Sequence, residues 1–108
     1  MLELKEYIDS QGRSPFRNWF DGLDAVAAAK ITVALGRIEQ GNLSSVKGVG
    51  GGVLEYRLDF GPGYRVYFGR DGSTLVILLA GGSKRRQQQD IDHARKRWLD
   101  YKSRKQRG

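Results

Sequence analysis

The chain has 108 residues, 39% of them hydrophobic and 29% charged, with a formal net charge of +7; this balance predicts one folded domain and excludes a disordered or fibrous chain. It has no cysteine and one histidine, which excludes disulfides, thiolate metal sites, a cysteine nucleophile and a pair of catalytic imidazoles. The longest apolar run, Thr74–Ala80, is far short of the about 18 residues a membrane span needs, and Leu2–Asp9 is unlike a secretory signal, so a soluble, intracellular protein is expected.

Leu2-Glu3-Leu4-Lys5 alternates apolar and polar and continues through Ile8 as a first strand. After a turn at Asp9–Arg13, Ser14-Pro15 has the form of a helix start, a hydroxyl able to cap free amides followed by proline. Phe16, Trp19, Phe20 and Leu23 then recur at helical spacing, predicting a short helix over Pro15–Leu23 with one apolar face. Asp24 caps a second helix that runs to about Gln40, with Ala27, Ile31, Ala34, Leu35 and Ile38 as its buried stripe.

Asn42–Gly52 reads as a loop. Its four glycines between Gly48 and Gly52 match neither phosphate-cradling motif, because no Gly-Lys-Ser/Thr follows and the dinucleotide spacing fails at Val53. Three strands follow: Val53–Phe60, Tyr64–Gly69 and Thr74–Ala80, joined by the turns Gly61-Pro62-Gly63 and Arg70-Asp71-Gly72-Ser73. The third strand is apolar on both faces, as expected of a covered central strand. A last helix over roughly Gln87–Lys102 docks through Ile91, Ala94 and Trp98, and 103–108 is expected to fray. The order β-α-α-β-β-β-α predicts an α+β domain spanning 1–108, an antiparallel-rich sheet with helices packed on one face.

Charge is distributed unevenly. Residues 1–83 carry nine basic and nine acidic side chains, whereas 84–108 carry ten basic and three acidic, so the C-terminal quarter holds the whole excess. Such a surplus fits a polyanionic partner, and equally a solubilising tail. Alternation places Glu55, Arg57 and Asp59 on the polar side of one strand, opposite Arg65 and Tyr67 on the next. Lys84 leaves the last strand toward the same surface. Two such arginines hold phosphate by forked hydrogen bonds and can stabilise a pentacoordinate phosphorane, while the tyrosine can stack on a base. The alternative is a cross-strand ion pair decorating an exposed sheet. His93 is expected on a solvated helix position, Trp19 and Trp98 in packing, and Ser44-Ser45 in loop.

These stretches together resemble the RelE/ParE superfamily of toxins, in its HigB-like, phage-derived addiction module killer branch. The resemblance is carried by Ser14-Pro15-Phe16 with Trp19, Val49–Val53 with Glu55 and Arg57, and Gly61-Pro62-Gly63-Tyr64-Arg65-Val66-Tyr67-Phe68. It continues through Leu78–Gly82 with Lys84, and Gln87 to Ile91 with Ala94. The resemblance implies a RelE/ParE-like fold and a toxin of a type II toxin–antitoxin pair, a metal-independent mRNA endoribonuclease acting on the ribosome without cofactor. Its partners would be ribosome, mRNA and an antitoxin of helix-turn-helix DNA-binding type, in the cytoplasm. It assigns Arg57 and Arg65 to the scissile phosphate, Lys84 to phosphate or proton transfer, Tyr67 to stacking and Glu55 to a base or to orienting Arg57. Lys47, Arg85, Arg86 and Arg95 are the candidate RNA-binding cations around them. Two features depart from the branch: Ser83 stands where many members have an acidic residue before the lysine, and no histidine matches the catalytic one of some RelE-fold nucleases. A ParE-like gyrase inhibitor that cleaves nothing and a purely binding module are the rival readings, since one fold hosts several activities.

Overall fold

In the computed structural model, which describes residues 1–107, five strands and three helices alternate along the chain: β1 (Glu3–Glu6), α1 (Pro15–Asp21), α2 (Ala25–Glu39), β2 (Val46–Gly48), β3 (Val53–Arg57), β4 (Arg65–Asp71), β5 (Leu75–Gly82) and, after a 3₁₀ turn at Lys84–Arg86, α3 (Gln87–Arg107). The strand order is β1-β5-β4-β3-β2; β1 runs parallel to β5 and every other pair is antiparallel. The architecture is therefore α+β on a mixed sheet.

The helix starts follow their caps. Ser14 Oγ accepts from the Arg17 amide at 3.0 Å, and Asp24 Oδ1 accepts from the Ala27 amide at 2.8 Å. Each satisfies a donor that the first helical turn leaves free. The α2 stripe of Ala27, Ile31, Ala34 and Ile38 is buried as its spacing predicts. With Phe16 of α1 it packs on Tyr56, Val66, Phe68, Val76 and Leu78 of the sheet.

Helices cover both faces of the sheet, not one. Ile91, Ala94 and Trp98 of α3 pack on Tyr7, Val53, Tyr67, Ile77, Leu79 and Ala80 on the opposite side. The two-sided apolar character of β5 is the cause: its alternate residues feed two cores. Adjacent glycines at its end permit the close approach. A Cβ at Gly81 would stand 2.0 Å from the Trp19 ring, and one at Gly82 would stand 1.9 Å from Asp90 Oδ2. Bare backbone at both positions lets α1 and α3 seat against the sheet.

Three further expectations are corrected. A fourth antiparallel strand, β2, lies inside the expected loop and pairs Val46–Gly48 with Leu54–Tyr56. β3 ends at Arg57 rather than Phe60, because the Gly61-Pro62-Gly63 reversal already draws the chain away. Finally, α3 stays helical to Arg107 instead of fraying from 103, while Gly108 lies outside the described residues. Side chains anchor that end. Tyr7 Oη donates to Asp100 Oδ2 and Tyr101 Oη to Asp71 Oδ2, each at 2.6 Å. Arg104 donates to the Ile8 carbonyl at 2.6 Å, and Lys105 pairs with Asp71.

Candidate nucleic-acid interface

The hairpin of β3 and β4 sets the register of the site. Arg57 pairs with Arg65 and Glu55 with Tyr67, and Glu55 is also opposite Lys47 on β2. Across the next ladder Arg65 meets Gly82. The turn between β3 and β4 then folds back, so that the Pro62 carbonyl accepts from the Lys84 amide at 3.2 Å. Gly63, at φ +75°, is bound to be glycine: a Cβ there would come within 3.1 Å of Arg65 Nη1 and 3.3 Å of Lys84 Cβ. The backbone thus places Arg57, Arg65 and Lys84 at one end of the sheet.

Their exposure differs from the expected open face. Glu55 and Tyr67 are 0% exposed and Arg65 2%; all three lie on the α3 side of the sheet, closed over by the start of that helix. Arg57 and Lys84 are exposed at the rim. The polar side of the β3–β4 hairpin is therefore an interior. Gln87 Nε2 donates to Glu55 Oε2 at 2.9 Å, and Arg65 Nη1 donates to the Gly63 carbonyl at 2.5 Å. Glu55 faces Arg65 Nε at 3.7 Å and Lys47 Nζ at 3.8 Å, ion pairs too long for hydrogen bonds. Glu55 Oε1, Arg65 Nε and Tyr67 Oη have no hydrogen-bond partner. Burial, reinforced by the Glu55 carboxylate, pushes the Tyr67 phenol well above its usual range, so it keeps its proton at neutral pH. Buried polar atoms left unpaired are uncommon, and three in one cluster make it the candidate site.

Around this interior runs a rim of cations. Lys47, Arg57, Lys84, Arg85, Arg86 and Arg95 are all exposed. Arg57, Lys84, Arg85, Arg86 and Arg95 enter no ion pair among the described residues. Arg86 is steadied by Gln89 Oε1, and Arg95 lies over the Gly50–Gly51 turn. The C-terminal charge excess thus divides in two. Arg104 and Lys105 are spent on Asp100 and Asp71, and Arg97 donates to the Leu79 carbonyl at 3.0 Å. His93 is exposed and Trp98 buried, as expected.

Gln87 and Asp90 are the site residues that charge reasoning overlooks. Gln87 carries no charge, yet it stands four positions before Ile91 on the inward face of α3; that spacing is the signal that marks it. Asp90 fills the space over Gly82, where burial raises its carboxyl above the ordinary value, partly offset by Arg86, His93 and Arg97. Among the described residues, no group of three or more His, Asp or Glu side chains is placed to hold a metal ion, and no helix is long and apolar enough to cross a membrane.

Fold and site define a small α+β protein with a cation-rimmed polar cluster at one end of its sheet. The family model described as phage derived protein Gp49-like (DUF891) matches residues 18–99. The chain is also 42% identical over 81 residues to an uncharacterized protein of Haemophilus influenzae, covering 74% of this chain and 82% of that one. The chain belongs to the Gp49-like family, a family of toxin-like addiction module proteins.

Proposed function

We propose that this protein is the toxin of a type II toxin–antitoxin module and acts as a ribosome-dependent mRNA endoribonuclease of the RelE/HigB kind, in the cytoplasm and without metal or cofactor. The observation that carries the reading is the convergence of Arg57, Arg65 and Lys84 at one end of the sheet, with unpaired cations continuing through Arg85 and Arg86. Arg65 already faces Glu55, whereas Arg57 and Lys84 enter no ion pair among the described residues and attract an anion, and a phosphodiester is such an anion. In the reaction, a ribose 2′-oxygen attacks the adjacent phosphorus, its proton passing to a base, while the 5′-oxygen leaves and takes up a proton. Products are a 2′,3′-cyclic phosphate and a 5′-hydroxyl. Arg57 and Lys84 hold the non-bridging oxygens and offset the negative charge gained in the transition state. Lys47, Arg85, Arg86 and Arg95 track the RNA backbone. Glu55, Arg65 and Tyr67 supply the base, phosphate and stacking roles only once uncovered. The antitoxin, a helix-turn-helix DNA-binding protein, would mask this rim.

The test is primer-extension mapping of a reporter mRNA in a reconstituted translation system, with and without ribosomes. Arg57→Ala and Lys84→Ala are each expected to lower cleavage by about 10²-fold, the effect of losing one preorganised charge contact. Wild-type cleavage by both variants would overturn the assignment. The burial of Glu55, Arg65 and Tyr67 favours one rival reading, a gyrase inhibitor that needs no exposed catalytic group. A supercoiling assay beside the mRNA map separates the two.

A further inference from the structure

The start of α3 differs from the rest of that helix in how it is attached. From Ile91 onward the inward side chains are apolar and buried, and the far end is tied by Asp100, Tyr101 and Arg104. Residues 83–90 have no apolar anchor. Their inward contacts are the Gln87–Glu55 hydrogen bond, Asp90 over Gly82 and the Lys84 amide on Pro62. The segment opens with a 3₁₀ turn at Lys84–Arg86, whose hydrogen-bond geometry is poorer than that of the α-helix it leads into. Beneath it lie the three unpartnered polar atoms of Glu55, Arg65 and Tyr67. A covering that leaves buried donors and acceptors unpaired gains less from closing than one that satisfies them. The segment also carries three exposed cations, Lys84, Arg85 and Arg86.

We propose that residues 83–90 form a hinged cover over Glu55, Arg65 and Tyr67, latched by Gln87, and that RNA lifts it by binding the cations the cover itself carries. This rests on the ribonuclease reading for the identity of the polyanion and adds its regulation. The closed form keeps the cluster sealed. In the open form the free Arg65 Nε–H and the Tyr67 hydroxyl reach a phosphodiester, and RNA favours opening because only that form offers it both sets of donors. The cover ends between Asp90 and Ile91, where polar inward contacts give way to the apolar core.

Limited trypsin digestion reads the cover directly, since Lys84, Arg85 and Arg86 are themselves cleavage sites. Gln87→Ala and the isosteric Gln87→Glu, which sets a second carboxylate against Glu55, are expected to be cut at 84–86 about tenfold faster than wild type, as loss of one hydrogen bond to a charged group predicts. Cutting after Arg95 and Arg97 should stay unchanged, which distinguishes opening of the cover from unfolding. A short 2′-O-methyl oligonucleotide, bound but not cleaved, should be held about tenfold more tightly by Gln87→Ala than by wild type. That gain should vanish in Gln87→Ala combined with Arg65→Met, with Arg65→Lys as the milder companion should the Met variant fail to fold. Wild-type cutting rates in both Gln87 variants, or a binding gain that survives loss of Arg65, would overturn the proposal. If the cover opens as expected but no mRNA is cleaved in the translation assay, the ribonuclease reading falls and the cover stands.

Discussion

The two faces of the sheet are built on different terms. Under α1 and α2 the buried contacts are apolar, from Phe16 and Ile31 to Phe68 and Leu78, with the Arg17–Glu6 ion pair at their partly exposed edge. Under α3 only the end around Ile91, Ala94 and Trp98 is apolar, and the other end encloses Glu55, Arg65, Tyr67 and Gln87. The first face uses its area for stability. The second gives up part of its apolar contact to bury a charged pair whose geometry falls short of full compensation, an arrangement that lowers stability relative to an apolar isostere. Polar groups retained at that cost, next to a rim of unpaired cations, are the reason the proposed function is placed on the α3 side.

Substitutions on each face test the contrast. Phe16→Ala removes a side chain 1% exposed at the centre of the apolar face; urea unfolding should show a loss of about 3–5 kcal/mol, with oligonucleotide binding unchanged in the folded fraction. On the other face, Arg65→Met and Glu55→Gln should each lower stability by about 1–3 kcal/mol, since each strands a buried partner. The double variant should recover part of that, and a coupling energy near zero would show the two groups to be independent.

Acid should loosen α3 at its far end while sparing the α1 and α2 face. A hydrogen bond from Lys105, with one from Tyr101, holds the Asp71 carboxyl below its ordinary value, and one from Tyr7, with one from Arg104, does the same for Asp100. A carboxyl depressed in the folded state contributes stability above its unfolded value of 3.8, lost as pH falls through the lower folded value. Thermal melts taken from about pH 5 to pH 2 should therefore show extra destabilisation below about pH 4 that Asp71→Asn reduces and Asp71→Asn combined with Asp100→Asn abolishes. The smallest effect concerns Asp90, whose carboxyl is raised by burial. Its charged form is disfavoured in the folded state, so stability on its account grows as pH drops through the raised value. Asp90→Asn should raise the neutral-pH melting temperature by about 2 °C, and an unchanged melt would show that Arg86, His93 and Arg97 already offset the penalty.

Much of this plan can be read in the chain itself. Ser14-Pro15 and Asp24 mark helix starts through chemistry that acts within three residues, and the alternation of β3 and β4 puts Arg57 on one side with Arg65 and Tyr67, the fold choosing the register that pairs it with Arg65. What alternation does not reveal is which side faces water. Glu55, Arg65 and Tyr67 read as a solvent face because charged strand residues usually are one, and α3 is so rich in cations that its narrow apolar stripe is easily discounted. The run of apolar residues in β5 was the counter-signal, since a strand greasy on both sides needs two covers. Val46-Lys47-Gly48 is too short and glycine-flanked to announce a strand, and the tail beyond Lys102 owes its order to partners as distant in sequence as Ile8 and Asp71.

The parallel seam between β1 and β5 has a temporal corollary. Glu3 aligns with Leu75 and Glu6 with Leu78, so β1 must wait, unpaired, until β5 has been synthesised. Contacts of such long sequence separation form late. A nascent chain that has not yet made β5 therefore has no finished sheet, and α3, which closes over Glu55 and Arg65, follows β5 in the chain; the enclosed cluster is assembled only after the sheet is complete.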